Sequence, residues 1–248
     1  MGTRTEKALT EVDVCRYVSE RSDFSFELKV LQKFLELGFT CEHGGTYNDP
    51  ISEKGRQFDI RGIRTFKNIR VVIAVECKNI GKNSPLIAHC VPRKEHEAYN
   101  CIARAKFNLD DGRPDRVHGE SLIEKRTGQG SIYARNLPVC KFLAQAWEER
   151  IKEEGVTKEI ITGKDNEIYE RWSQAISSCS DLIYKETNFY ASDPNVEAEA
   201  YSIVIPMLMV PCETLWHTQF DESGSWSGKV ELGNHVSIYI DKDIPSGL

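Results

Sequence analysis

The residues best suited to chemistry lie at the end of one strongly apolar stretch of the chain. In the segment VVIAVECKN, the apolar residues 71–75 are followed directly by Glu76, Cys77 and Lys78. Because side chains alternate along a strand, Glu76 and Lys78 are expected on one face and Cys77 on the other. A carboxylate and an ammonium group at the end of a buried strand cost free energy unless they are paired or bind a ligand.

Two acidic residues earlier in the chain are candidates to join them. Asp59 lies in QFDIRGI, residues 57–63, which is typical of a short strand; if this strand neighbours residues 70–77, Asp59 approaches Glu76. Two close carboxylates repel each other and need a cation, and oxygen ligands on a rigid sheet suit a divalent ion such as Mg²⁺. Glu27 lies beside the apolar face of a predicted helix, where it would be a further metal ligand or would position a water molecule.

The helix that carries Glu27 is predicted over residues 22–38. Its apolar residues recur at spacings of four, three and four, which places them on one stripe of a helix. Ser22 or Asp23 can cap the first turn, because a short side-chain oxygen accepts hydrogen bonds from free backbone N–H groups, and Gly38 is a natural end. The stripe predicted to face the core consists of Phe24, Leu28, Leu31 and Leu35.

Two strands are predicted around the acidic residues, over 57–63 and 70–77, with a turn at 66–68 between them. Strands joined by a short turn are usually antiparallel neighbours. Residues 70–77 are β-branched and almost wholly apolar, which favours a central strand covered on both faces. Residues 201–210 form a second apolar run, in which Pro206 indicates an edge or a bulged strand.

The other segments supply further elements. The polar stretch to about residue 21 is expected to form a loosely packed helix. The order of helices and strands is typical of an α/β protein with a central mixed β-sheet flanked by helices. Helices are predicted over about 94–106, from about 131 to 150 and over 166–186, and strands over about 39–42, 214–221 and 235–241.

The order of the acidic residues resembles the PD-(D/E)XK nuclease superfamily. The family pattern is a helix with an acid, then a strand with Asp, then a strand that ends in Asp/Glu-x-Lys. The resemblance covers about residues 22–80 and departs from the family at Phe58, where the family has Pro. The residues that match the pattern are Glu27, Asp59 and Glu76-Cys77-Lys78.

The resemblance implies a single domain over residues 1–248 with a restriction-endonuclease-like core. That core would comprise about residues 22–80 and 166–221 and would contain the central mixed sheet. Residues 81–165 would then be a long insertion, and the C-terminal residues would add extra strands to the core.

The resemblance also implies a metal-dependent nuclease that hydrolyses phosphodiester bonds, most often in DNA, in a restriction or defence role. Asp59, Glu76 and the backbone carbonyl of Cys77 would hold Mg²⁺, for which Mn²⁺ would substitute. Glu27 would serve a second ion or orient water. Lys78 would position the attacking hydroxide or neutralise charge on the phosphoryl oxygens. A homodimer is an expected assembly, since dimers are common where both strands are cut.

Basic residues are concentrated around this pattern. The net charge is −6, yet residues 54–106 contain twelve Lys or Arg and four Asp or Glu. A basic block in an acidic protein indicates a polyanion such as nucleic acid, although an ordinary solvated surface also accounts for it. In a nuclease Gln57 would join the site, and phosphates would be bound by Lys54, Arg56, Arg61, Arg64, Lys67 and Lys82.

Two other interpretations stay open at this point. One is a catalytically silent nucleic-acid-binding or assembly protein that has the same fold. The other is a zinc site, because zinc favours Cys and His ligands, but the spacing matches no common zinc finger, and core thiols with loop histidines explain the same residues. The residues in question are His89, Cys90, His96 and Cys101, with Cys41 and His43 upstream.

Composition excludes several classes of protein. With 40% hydrophobic and 28% charged residues, the chain has the composition of a globular protein rather than a disordered or fibrous one. No apolar stretch reaches the length of a membrane span, and the polar start lacks the apolar run of a secretory signal. The eight cysteines are scattered, so we expect free thiols and a cytoplasmic location.

Overall fold

A computed structural model of the chain describes residues 8–49, 52–97, 99–107, 119–127, 137–153, 156–192 and 199–239. These residues form an α/β protein with three α-helices and thirteen strands. The helices are α1 (Glu11–Glu20), α2 (Asp23–Glu36) and α3 (Asn166–Ser192). The strands are β1 (Thr40–His43), β2 (Thr46–Asn48), β3 (Gly55–Gln57), β4 (Ile60–Phe66), β5 (Ile69–Cys77), β6 (Leu86–Val91), β7 (Tyr99–Phe107), β8 (Gly119–Thr127), β9 (Val139–Glu153), β10 (Val156–Lys164), β11 (Glu199–Met209), β12 (Leu215–Phe220) and β13 (Trp226–Leu232).

The first sheet has the strand order β1-β4-β5-β11-β7-β8. Strands β4 and β5 pair antiparallel, as the short turn between them predicted, whereas β5 and β11 pair parallel. The sheet is therefore mixed, and the prediction that residues 70–77 form an interior strand is confirmed. Strand β4 begins at Ile60, so Asp59 lies just before the strand and not within it as predicted.

The two faces of β5 contact different helices. Val72 and Ala74 pack with residues of α3 in one core cluster, whereas Ile73, Val75 and Cys77 pack with residues of α2 in another. Since this alternation continues to the end of the strand, Glu76 is on the α3 side and Cys77 is buried on the α2 side. The predicted separation of Glu76 from Cys77 is confirmed.

Helix α2 buries a different face from the one predicted. Val30 and Phe34 are buried against the sheet, whereas Phe24, Leu28 and Leu35 of the predicted stripe are exposed. The helix carries apolar residues around more than half of its circumference, so spacing alone does not select the face that meets the sheet. Helix α1 matches the expectation of loose packing, because none of its ten residues, all of them described, is buried.

Two of the predicted helices are strands. Residues predicted as helix over 94–106 form a 3-10 turn at Glu95–Glu97 and then β7, which pairs with β11 and β8. The helix predicted to end near residue 150 is the strand β9, which pairs on one side with β6 and on the other with β10. Hydrogen bonding to two neighbouring strands outweighed the local helical pattern in β9.

The second sheet has the order β10-β9-β6-β12-β13. Residues 81–165 thus supply β6, β9 and β10 to this sheet and β7 and β8 to the first one. The strand predicted over 214–221 is confirmed as β12. Of the strand predicted over 235–241, the described part forms one bridge, between Ile238 and Cys140.

The later helix and strand of the first sheet match their predictions. Helix α3 buries Ile168, Ala175 and Cys179, which belong to its predicted apolar stripe. Strand β11 lies between β5 and β7, but its pairing with β7 ends at Ile203, so Pro206 lies where β5 is its only described neighbour. Pro206 therefore occupies a local edge, where a missing N–H leaves no ladder bond unmade.

The described cysteine side chains are thiols and form no disulfide with one another, in agreement with the sequence prediction. Among the described residues, no helix is both long and apolar enough to cross a membrane.

Candidate active site at the end of strand β5

Asp59 and Glu76 are brought together by the pairing of β4 with β5. Asp59 directly precedes β4, and its Oδ2 accepts a hydrogen bond of 2.7 Å from the backbone N–H of Cys77. This bond holds the Asp59 carboxylate at the end of β5, one residue from Glu76. The predicted proximity of the two acids is therefore present, and it depends on Asp59 reaching across from the segment before its strand.

Glu76 is an acid in an unusually dry position. Its side chain is 2% exposed, and its Oε1 is buried without a hydrogen-bond partner among the residues that the structure describes. Burial, and next the negative charge of Asp59, raise the pKa of Glu76 to about 8. A buried carboxylate oxygen with no donor is costly, so the site favours either a proton or a cation at this position.

Asp59 and Glu27 extend the acidic cluster around the end of the strand. Burial is the first cause that raises the pKa of each, and the charge of Asp59 raises the pKa of Glu27 further. Glu27 projects from α2, and its Oε2 lies 3.2 Å from Nε2 of His43. The ring of Phe24 lies against His43, with 5.6 Å between the ring centroids. His43 thus orients Glu27 and partly offsets its charge.

Lys78 follows the cluster and is held by two acids from different helices. Its Nζ forms an ion pair with Glu167 of α3 and lies 3.5 Å from Oδ2 of Asp23. Asp23 is fixed in turn, because its Oδ1 accepts a 2.8 Å hydrogen bond from the backbone N–H of Asn79. The four predicted site residues Glu27, Asp59, Glu76 and Lys78 therefore all lie around the end of β5.

Arg171 is the site residue that sequence reasoning missed. It projects from α3, and its Nη1 lies 3.5 Å from Oε2 of Glu76 and 4.0 Å from Oδ2 of Asp59. Its Nη2 lies 3.4 Å from Oδ2 of Asp23. No local signal distinguishes Arg171 from the other charged residues of a predicted helix, and the sequence predicts only a helix-capping role for Asp23. The packing of α3 on β5 brings Arg171 to the site, and that of α2 on the opposite face brings Asp23 there.

The chemistry of the donors suits a hard divalent cation. Carboxylate oxygens are the ligands that Mg²⁺ prefers, and the buried Oε1 of Glu76 lacks a partner among the described residues. However, the described residues contain no three His, Cys, Asp or Glu side chains that are arranged to hold a metal ion. The residues thus fit such an ion by type and burial, while positive charge is supplied to Asp59 and Glu76 by a guanidinium group.

The residues predicted to bind phosphates do not form one patch. Arg61 contradicts that prediction, because its side chain is 5% exposed and is paired with Asp181, so it cannot contact a phosphate in solution. Arg64 pairs with Val71 across the strands, about 17 Å along β5 from Glu76 at the usual rise per residue. Lys54, Gln57, Lys67 and Lys82 are exposed, Lys82 is ion-paired with Glu213, and Arg56 is ion-paired with Asp49.

The Cys and His residues of the alternative zinc site do not converge. His89 stacks on Phe220 with 5.7 Å between ring centroids, whereas its neighbour Cys90 is buried in the core beside Cys140. His43 belongs to the acidic cluster through Glu27. The side chain of Cys101 lies outside the described residues. The described geometry therefore favours core thiols and packed histidines over a zinc site at these positions.

Comparison of the chain with models of protein families yields no match, and neither curated proteins nor solved structures match it.

Proposed function

We propose that this protein is a metal-dependent nuclease of the PD-(D/E)XK type, with a restriction-endonuclease-like core, and that it hydrolyses phosphodiester bonds in DNA. One observation carries the proposal. Glu27, Asp59, Glu76 and Lys78, from three segments of the chain, lie around the end of β5, and the buried Oε1 of Glu76 has no described partner. A cation would relieve the energetic cost of that arrangement, and a phosphodiester is a substrate whose hydrolysis such a cation assists.

The resemblance to the PD-(D/E)XK family suggests a role for each residue. Asp59 and Glu76, with the backbone carbonyl of Cys77, would hold Mg²⁺ or Mn²⁺, and Glu27 would serve a second ion. When bound, such an ion polarises a phosphate and lowers the pKa of bound water. Glu27, oriented by His43, would accept a hydrogen bond from the attacking water. Lys78 would stabilise the negative charge that develops on the phosphoryl oxygens.

Substrate binding would rely on contacts with the phosphate backbone. The exposed Lys54 and Gln57 lie at and near β3, in the segment that leads directly to Asp59. Contacts of this kind contribute affinity without sequence preference. A restriction or defence role, a cytoplasmic location and a homodimeric assembly belong to the same proposal and rest on the family resemblance.

A catalytically silent nucleic-acid-binding protein on the same fold is the second candidate. One observation favours it: Arg171 and Lys78 already supply positive charge to the acidic cluster. A protein that only binds nucleic acid would keep these ion pairs permanently and would have no use for a divalent ion.

Cleavage assays separate the two candidates. Purified protein would be incubated with supercoiled and linear DNA in Mg²⁺ or Mn²⁺, beside Glu76→Ala and Lys78→Ala. Glu159→Ala is the matched control, since this exposed acid pairs with Arg150 on a distant hairpin. If the protein is a nuclease that uses this site, wild type and the control cleave the DNA, whereas the two site variants do not. Cleavage that survives in both site variants would reject the proposed site, and binding of DNA without cleavage by any of the proteins would favour the silent alternative.

A further inference from the structure

Arg171 lies among the carboxylates that the proposed function assigns to a divalent ion. Its guanidinium nitrogens lie within 4.0 Å of carboxylate oxygens of Asp23, Asp59 and Glu76. Lys78 shares Asp23 with Arg171 and is also paired with Glu167, whereas His43 contacts Glu27. Among the described residues, Arg171 is therefore the basic side chain that contacts both Asp59 and Glu76.

The contacts of Arg171 are longer than those of a buried ion pair that involves another residue of the same helix. Its three nitrogen–oxygen distances are 3.4, 3.5 and 4.0 Å, beyond the usual length of a charge-assisted hydrogen bond. The buried pair between Arg61 and Asp181 measures 2.6 Å. The side chain of Arg171 is also 29% exposed, whereas that of Glu76 is 2% exposed. Arg171 thus has a path to solvent, and none of its contacts with the described acids is short enough to hold it tightly in the cluster.

We propose that Arg171 is a displaceable cation of the site, which neutralises Asp59 and Glu76 in the metal-free protein and competes with a divalent ion for them. This inference rests on the proposed function. A guanidinium and a divalent cation beside the same two carboxylates repel each other strongly at such short distances. Binding of the ion therefore requires the side chain of Arg171 to move away, and the ion binds more weakly than it would to the empty carboxylates.

The competition links two states of the protein in one equilibrium: in one, Arg171 lies in the cluster, and in the other, the ion is bound there. A site that is competent for a ligand only part of the time has an apparent affinity reduced by that fraction. If Arg171 closes the cluster for about nine-tenths of the time, the ion binds about tenfold more weakly than to an open cluster. The protein would then load its metal only at ion concentrations high enough to displace Arg171.

The test is a calorimetric titration of Mn²⁺ into the metal-free protein without nucleic acid. Wild type is compared with Arg171→Gln and with Arg150→Gln, which removes the same charge from an exposed pair far from the cluster. We expect Arg171→Gln to bind Mn²⁺ about tenfold more tightly than wild type. The control, which changes the net charge equally, should stay within about twofold of wild type. Equal or weaker binding by Arg171→Gln would overturn the inference.

Two further variants keep the result interpretable. Arg171→Lys retains the positive charge on a shorter side chain and is expected to bind Mn²⁺ more tightly than wild type but less tightly than Arg171→Gln. It replaces Arg171→Gln as the test if circular dichroism shows that the latter does not fold, and binding no tighter than wild type would then overturn the inference. Asp59→Asn tests the proposed function separately. If it binds Mn²⁺ as wild type does, the proposed metal site fails; if it loses binding while the Arg171 variants match wild type, only the inference on Arg171 fails.

Discussion

The two halves of helix α3 pack on the same sheet but differ in how their buried charged side chains are paired. In the C-terminal half, Arg61 donates a hydrogen bond to Asp181 at 2.6 Å, and it also donates one at 3.0 Å to Ser178, at the middle of the helix. Arg70 likewise pairs with Glu186, which also accepts from Ser202. In the N-terminal half, Arg171 is shared among three carboxylates at longer distances, and Oε1 of Glu76 has no described partner.

The difference separates ion pairs that stabilise the fold from buried acids whose charges do not contribute to its stability. Buried ions that are paired one to one have their desolvation cost offset by tight hydrogen bonds. Buried acids that outnumber their cations, with pKa values raised by burial and by each other, are expected at sites that act on a ligand. We therefore expect substitutions in the two halves to alter different measurable properties.

The largest expected effect is on activity, at the N-terminal half. Glu76→Gln keeps the shape of the side chain but removes a carboxylate from the proposed metal site, and we expect Mg²⁺-dependent DNA cleavage to fall by about a thousandfold or more. The free energy of unfolding should not decrease, because the buried carboxylate is replaced by a neutral group. Glu186→Gln is the matched variant of the C-terminal half and should lose stability while it cleaves normally. Equal loss of activity in both variants would remove the distinction.

The next effect is on stability, at the C-terminal half. Asp181→Ala leaves Arg61 buried without its carboxylate, and removal of one partner of a buried ion pair costs about 3–5 kcal/mol of unfolding free energy. Urea unfolding followed by circular dichroism measures this change. Cleavage per folded molecule should stay near the wild-type value, since Arg61 faces away from solvent. A change below about 1 kcal/mol would show that Arg61 is solvated in solution.

The pH dependence of stability should reveal the excess of buried acids at the N-terminal half of α3. The folded-state pKa of Glu76 is raised to about 8, so the metal-free folded protein binds a proton that the unfolded chain releases between its own pKa and pH 8. Protonation of Glu76 therefore adds to the free energy of unfolding at low pH. This contribution, about 1–3 kcal/mol, is lost as the pH rises from about 4.5 to about 8. Thermal unfolding across this range should show the decline, and Glu76→Gln should flatten it. A wild-type profile that rises toward pH 8 would contradict the assignment.

The smallest expected effect concerns the exposed basic residues. Lys54→Ala removes one charge near β3 and should lower the affinity for DNA severalfold, with a fall of about one in the dependence of log K on log salt. Arg64→Ala, at the far end of the strands, should leave that slope nearly unchanged. Fluorescence anisotropy of labelled DNA at several salt concentrations measures both. If the two variants changed the slope equally, binding would not be centred on the end of β5.

The secondary structure was most predictable where the local pattern and tertiary burial agree. Residues 71–75 are apolar throughout, and the strand that contains them is interior because these side chains pack in core clusters on both of its faces. Helix α3 buries much of its predicted stripe for the same reason. The helix α2 was predicted correctly, but its buried face was not, because α2 has apolar residues on several faces. Strand β9 was predicted wrongly as a helix, because its local pattern is compatible with helix and only pairing with its two neighbours makes it a strand.

The sequence by itself determined which candidate residues lie together and at which end of which strand they lie. Strand alternation places Glu76 opposite Cys77, and the short connection between β4 and β5 brings Asp59 to Glu76. The tertiary structure alone decided the charge balance of the site. Arg171 and Asp23 reach the cluster because α3 and α2 pack on opposite faces of β5, and contacts between residues far apart in the chain leave no local pattern in the sequence.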